Sequence, residues 1–231
     1  MLNKNSNIVF FIILFIILPL VTTGCSRTES NILSVDKEGN TTISNEAVTE
    51  AINQEPPQAL TDVEREGILY VREEEKLARD VYSQLYKVWG LNNMNNIASS
   101  EQTHLDAMKS LIDRYGLDDP VTGMGTGEFR DPKLQQLYNE LVEKGSKSEI
   151  DALEVGAAIE EIDIIDIEEY VAQTDKQDII IVYENLMKGS RNHLRYFVSV
   201  LEKRGVTYNL QYLPSDEYNA IVNSDVERGR N

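Results

Sequence analysis

The sequence predicts an all-α protein: four long helices, with one short extra helix between the second and the third. Three observations carry this. Apolar residues recur at alternating three- and four-residue steps over long stretches, which puts them on one helix face. Capping residues open those stretches and glycines close them. Each of the four long stripes also carries an acid or a histidine near its middle.

Composition bounds the function. The chain has 231 residues, 39 acidic against 22 basic side chains, and a net charge of −17. That length suits one domain with appendages, and that charge argues against nucleic acid or anionic lipid as a partner. A single cysteine excludes an intramolecular disulfide, a CxxC redox pair and a cysteine zinc site. A metal would have to use carboxylates and the only two histidines, His104 and His193.

In chain order, Lys4 precedes an apolar run from Ile8 to Val21, ending in Thr22-Thr23-Gly24-Cys25. The run is short for a span, which needs about 20 residues, and reads as a signal peptide over 1–24. Gly24-Cys25 resembles a bacterial lipoprotein cleavage site, although Thr22 stands where that signal usually has an aliphatic residue. It implies lipid on Cys25 and a membrane-anchored protein on the extracytoplasmic face; an uncleaved anchor is the alternative. Residues 25–59, rich in Ser, Thr, Asn, Glu and Gln and ending in Glu55-Pro56-Pro57, read as a flexible tether.

The helical domain is expected over 60–205. Its first helix opens at Thr61, with Glu64 completing a capping box, and runs to Trp89 before Gly90. Ile68, Val71, Leu77, Val81 and Leu85 mark its buried face. Glu74 lies roughly 20° from the centre of that face and Glu75 roughly 80°, while Glu73 points outward.

The second helix is expected at Ser99, boxed with Gln102, and to end at Gly116. Ile97, Glu101, His104, Met108, Leu111 and Tyr115 share one face of it. A buried carboxylate beside a buried imidazole is costly unless both are paired. Burial and neighbouring acids also make Glu101 an expected partly protonated group. The pair is either a core hydrogen bond or a metal-ligand unit.

A glycine-rich link, Gly123 to Gly127, lacks the Lys-Ser/Thr of a phosphate loop and reads as plain loop. The short helix follows, with Pro132 at its first position and Gly145 at its end. Ser148 and Asp151 open the third long helix, whose stripe holds Leu153, Ala157, Glu160, Ile164 and Ile167, with Glu161 and Asp163 close by. The fourth is expected after Thr174, capped through Gln177, with Ser190 and His193 at mid-face and an end near Gly205. Residues 206–231 form a tail with tyrosines but no regular pattern.

Four polar positions at matching depth resemble the ferritin-like superfamily, in which two helices give a Glu and two give Glu-x-x-His. The carrying segments are EEEKLARDVY, SEQTHLDAM, VGAAIEEIDI and GSRNHLRYF. More closely, the chain resembles an uncharacterised ferritin-like domain family of bacteria and archaea. The resemblance implies a four-helix bundle holding a di-metal centre, two iron ions in first place, with manganese or a single ion as alternatives. Its metal ligands would be Glu75, Glu101, His104, Glu160 and His193, Glu101 bridging. Periodicity prefers Glu74 where the Glu75-Ala78-Tyr82 match prefers Glu75, and Glu161 and Asp163 are further candidates. Such a centre implies dioxygen or peroxide as reactant and oxidase, ferroxidase or peroxidase-like chemistry. Ser190, standing where a Glu is expected, favours a non-catalytic metal-binding or interaction module, or a second ion held more weakly near Glu160 and His193.

Overall fold

The computed structural model describes residues 31–36 and 40–229; the expected signal segment 1–24 and Cys25 lie outside them. In order, the elements are β1 (Leu33–Val35), β2 (Thr41–Ile43), α1 (Asn45–Ile52), α2 (Asp62–Trp89), α3 (Asn92–Tyr115), α4 (Pro132–Gly145), α5 (Glu149–Val171), α6 (Gln177–Lys203) and α7 (Ser215–Val222). The described residues are thus mostly helical, with one small antiparallel pair in the register Leu33 to Ile43 and Val35 to Thr41. Among them no helix is long and apolar enough to cross a membrane.

Most helix ends follow local chemistry. Thr61 Oγ1 accepts from Glu64 N at 3.2 Å while Thr61 N donates to Glu64 Oε2 at 2.8 Å, so the capping box opens α2. Gly90, at φ 67°, closes α2 in the left-handed conformation that glycine adopts without strain. Asp131 caps α4 ahead of Pro132, and Ser148 caps α5.

Two starts differ from expectation. α3 begins at Asn92 rather than Ser99; Ser99 lies inside it, its hydroxyl donating to Asn95 O at 2.9 Å. Burial of Met94 and Ile97 extends the helix backward, because tertiary packing outweighs a local cap signal. α6 has Lys176 at its N-cap and no side-chain cap bond. Thr174 instead donates to Glu64 Oε1 at 2.7 Å, tying the start of α6 to the start of α2.

Neither end of the domain is plain linker. Leu33–Val35 and Thr41–Ile43 form the β1–β2 pair and Asn45–Ile52 forms α1, and Leu33, Ile43, Val48 and Ile52 are buried. The tether expectation is therefore wrong for these residues; too few apolar side chains stand there to show a period, but long helices give them a surface to cover. The tail likewise forms α7 and buries Tyr208, Leu213, Tyr218 and Ile221.

Helix α2 packs on α3 and α5, and α6 packs on α5 and α3, while α4 lies on α2 and α5. The apolar residues fall into two blocks. One gathers Leu77, Val81, Tyr82, Ile97, Leu153, Phe197 and Leu201, and the other gathers Ile68, Val71, Met108, Ile112, Ile167, Ile179 and Leu186. Along α2, α3 and α6 the polar mid-face residues stand between the two blocks; on α5, Ile164 of the first block follows Glu160 and Ile167 of the second comes after it.

Close approach of α5 and α6 depends on Gly156: a Cβ there would lie 2.4 Å from Phe197 Cε1. Alanine has the better helix propensity by about 1 kcal/mol, but overpacking a buried ring costs about 1–3 kcal/mol. Gly156→Ala is expected to lower the urea midpoint; an unchanged or raised midpoint would show that the two helices can part freely.

Candidate metal centre

The polar layer is assembled from one position on each long helix, two on α3. Glu75 comes from α2, Glu101 and His104 from α3, Glu160 from α5 and His193 from α6, each at most 2% exposed. On α3 the three-residue step puts Glu101 and His104 on one face, so both enter together.

Their ligand atoms converge in two groups that share Glu101: Glu75, Glu101 and His104, and Glu101, Glu160 and His193, with the atoms of each within 4.8 Å of one another. His104 Nδ1 lies 2.7 Å from Glu101 Oε2 and 3.3 Å from Glu75 Oε2. His193 Nδ1 lies 2.9 Å from Glu101 Oε1 and 3.6 Å from Glu160 Oε1. The two rings stack with centroids 5.6 Å apart, and Nε2 of each meets Thr41 Oγ1, at 3.3 Å from His104 and 2.8 Å from His193.

The short distances are not hydrogen bonds. Glu75 Oε1, Glu101 Oε1 and Nδ1 of both histidines are buried without a hydrogen-bond partner. A buried polar atom left without a hydrogen bond costs about 1–3 kcal/mol, so the acid–imidazole contacts leave this layer costly. A core hydrogen bond between Glu101 and His104 does not account for this pattern. A cation among these atoms would satisfy all four at once, and carboxylate oxygen with imidazole nitrogen is a donor set suited to divalent iron or manganese.

Electrostatics within the layer agree. Burial alone would raise Glu101, but the two facing imidazoles outweigh it and hold its carboxyl well below the ordinary range. The expected partial protonation of Glu101 is thus corrected, because the sequence did not show that both rings face it. Burial raises Glu75, with Glu101 and Glu160 adding to it and His104 opposing; it likewise raises Glu160, aided by Glu101. Burial works against charge on His193, yet Glu101 and Glu160 push it up to about 9.

The remaining candidates separate. Glu74 turns away from this convergence: both its oxygens are buried and unpartnered, and Asp163 and Asp166 reinforce burial in raising its pKa. Asp163 stands at the rim of the layer, accepting from Ser190 Oγ while its Oδ1 has no partner. Glu161 faces elsewhere, accepting from Tyr208 OH at 2.6 Å and from the amides of Tyr212 and Leu213 at 2.7 and 2.8 Å. It anchors the tail and is unavailable to a metal. Glu73 does not point outward as its angle suggested; it is buried and accepts from Arg130 N at 2.5 Å, since the glycine-rich link folds over that side of α2.

Tyr82 donates to Glu160 Oε1 at 2.5 Å and to Gly156 O at 3.2 Å, so the tyrosine holds a candidate ligand in place. Thr41 was not legible as a site residue. The available signal was the β-branched run Thr41-Thr42-Ile43 after Gly39-Asn40, a hairpin pattern within a polar stretch.

A family model described as an uncharacterized protein domain (DUF2202) matches residues 64–225. The chain is 53% identical over 182 residues to the uncharacterized protein MJ0754 of Methanocaldococcus jannaschii, covering 79% of this chain and 98% of that protein. The crystal structure of hypothetical protein MJ0754 from Methanococcus jannaschii matches at a TM-score of 0.74 and 52% identity, over 76% of this chain and 100% of that one.

A pH dependence follows for the metal-free protein. Raised carboxyls such as Glu75 and Glu160 cost stability once pH climbs above the ordinary carboxylate range. The contribution of His193 is complete below its ordinary value of 6.5 and is lost as pH passes about 9. Depressed Glu101 adds stability that is already complete above pH of about 5, so it leaves this window unchanged. In chelator the melting temperature should be higher at mildly acidic than at mildly alkaline pH, and the reverse order would contradict the assignment. A saturating divalent ion should flatten the difference, because it replaces the protons.

Proposed function

The chain belongs to the family described as an uncharacterized protein domain (DUF2202), and from that premise we propose that it is a ferritin-like, di-metal-binding domain, with iron as the metal. The supporting observation is the pair of ligand groups joined at Glu101, in which Glu75 Oε1, Glu101 Oε1 and Nδ1 of both histidines are buried without a hydrogen-bond partner. The ferritin-like four-helix reading is supported by four long helices, each packed on two others, with single acids from α2 and α5 and Glu-x-x-His from α3.

In this reading Glu75 and His104 hold one ion, Glu160 and His193 the other, and Glu101 bridges. Bound there, two irons would supply one-electron chemistry with dioxygen or peroxide, as in an oxidase, ferroxidase or peroxidase. Three protein donors per ion leave coordination positions open, and the two apolar blocks keep bulk water out. Tyr82 keeps Glu160 Oε1 occupied by a hydrogen bond, and Ser190 gives its hydroxyl to Asp163 rather than offering a carboxylate. Both features weaken the His193 group relative to the His104 group. They also support a second reading, a non-catalytic metal-binding or interaction module.

Lipid on Cys25 would hold this domain at the extracytoplasmic face of a membrane. The basis is the chain's one cysteine at the end of an apolar leader, a short stretch ahead of the described domain.

Anaerobic Fe(II) titration should show two ions bound with unequal affinity. Glu75→Gln should remove the tighter one, His193→Ala the weaker one, and Glu74→Gln neither. Binding unchanged in Glu75→Gln, or lost in Glu74→Gln, would reverse the choice between the two acids. Exposure of the loaded protein to oxygen or peroxide then decides the class. An oxo-bridged absorption with turnover marks an enzyme; iron that stays inert marks the module.

Cys25→Ala should leave the protein unprocessed or free of membranes, since acyl burial supplies about 0.8 kcal/mol per methylene. Mature, membrane-bound Cys25→Ala protein would rule out the anchor.

A further inference from the structure

We propose that Thr41, carried in by β2, is the positioning residue that sets both histidines for metal binding. Its single hydroxyl oxygen accepts from Nε2–H of His104 and of His193, which leaves Nδ1 of each ring free to face Glu101. This rests on the metal-centre reading above and assigns that centre a residue outside the 64–225 match.

The geometry is built around this one hydroxyl. Thr41 is fully buried, and its Oγ1 lies 2.8 Å from His193 Nε2 and 3.3 Å from His104 Nε2. A hydroxyl has two acceptor lone pairs, so it can take both N–H groups. A neutral imidazole carries one proton, and Nδ1 can ligate only while that proton sits on Nε2. An acceptor placed at Nε2 therefore selects the ligating tautomer, as the outer partners of metal-bound histidines do. Two rings sharing one acceptor are also held parallel, consistent with their 16° interplanar angle.

The surroundings keep Thr41 in position. Ile43 N donates to Thr103 Oγ1 at 3.0 Å, pinning β2 to α3 at the residue next to His104, and Leu33 and Ile43 of the strand pair are themselves buried. On the other side α6 presents Gly189. A Cβ there would lie 2.5 Å from His104 Cε1 and 3.2 Å from Thr41 Oγ1, so glycine makes room for the ring and the hydroxyl to meet. Strand, helix and glycine thus converge on a contact that a merely space-filling cover would not need.

The test compares the full chain with Thr41→Val, which keeps the shape but loses the acceptor, and Thr41→Ser, which restores it. Fe(II) is titrated anaerobically against a competing chelator, and histidine 15N spectra of the metal-free proteins, recorded at a pH high enough to leave both rings neutral, report the tautomers. Thr41→Val should keep its helical circular dichroism, bind Fe(II) about 10- to 100-fold more weakly and lose the preference for Nε2–H. Thr41→Ser should behave as the native chain. Native-like affinity and tautomer signals in Thr41→Val would overturn the proposal while leaving the metal centre standing. Absence of Fe(II) binding in the native chain would remove the metal centre, and this role for Thr41 with it. Should Thr41→Val lose its helices, Thr41→Ser decides alone: weakened binding in a folded Thr41→Ser protein contradicts the proposal.

Discussion

A layer of buried acids and imidazoles cut across the long helices is the constraint on which the rest of this structure depends. Apolar packing alone would have joined the two hydrophobic blocks into one. Instead Glu75, Glu101, His104, Glu160 and His193 occupy the middle at no more than 2% exposure, and their desolvation must be compensated. The helices are long because they must carry an apolar block on each side of that layer. Tyr82 and Thr41 face it because its outward-pointing atoms need partners.

Buried charges elsewhere in the molecule make the contrast. Lys76 Nζ reaches Asp80 Oδ2 at 2.5 Å and Gly125 O at 2.8 Å, so a fully buried ammonium is paired and holds the glycine-rich link. Glu64 meets Lys176 at 2.7 Å, Arg72 meets Asp119 at 3.0 Å, and Glu161 gathers the donors of the tail. This chain satisfies its buried ions where it has no reason to leave them open. The unpartnered acid and imidazole atoms are found in and beside the central layer, at Glu74, Glu75, Glu101, His104, Asp163 and His193. Such selective neglect points to a site rather than to loose packing.

The terminal segments turn the layer into an enclosed one. Strand β2, paired with β1, lies on α3 and α6 and closes the Nε2 side of both rings. The C-terminal stretch returns to the same region, where Asn192 donates to Glu227 O at 2.8 Å and Arg228 reaches Val35 O at 3.3 Å. Residues with little pattern of their own are ordered by a surface that the long helices have already built.

What the sequence determined by itself was local and periodic. Caps, glycines and three- and four-residue steps marked the long helices, and the interruption of each apolar stripe marked the polar positions that the structure brings together. What it left open was every question whose answer lies on another element. Glu74 and Glu75 are neighbours on one helix, and only the placement of α2 against α3 and α5 decides which of them meets His104. The outward angle of Glu73 was a sound reading of α2 alone, overturned by the amides of a link more than fifty residues away. Thr41 carried at most the signature of a short strand and none of a site residue, because its role is defined by two rings that arrive from α3 and α6. Periodicity encodes which face of a helix is buried; the partner that satisfies a buried polar atom is a long-range choice, made only when the elements pack.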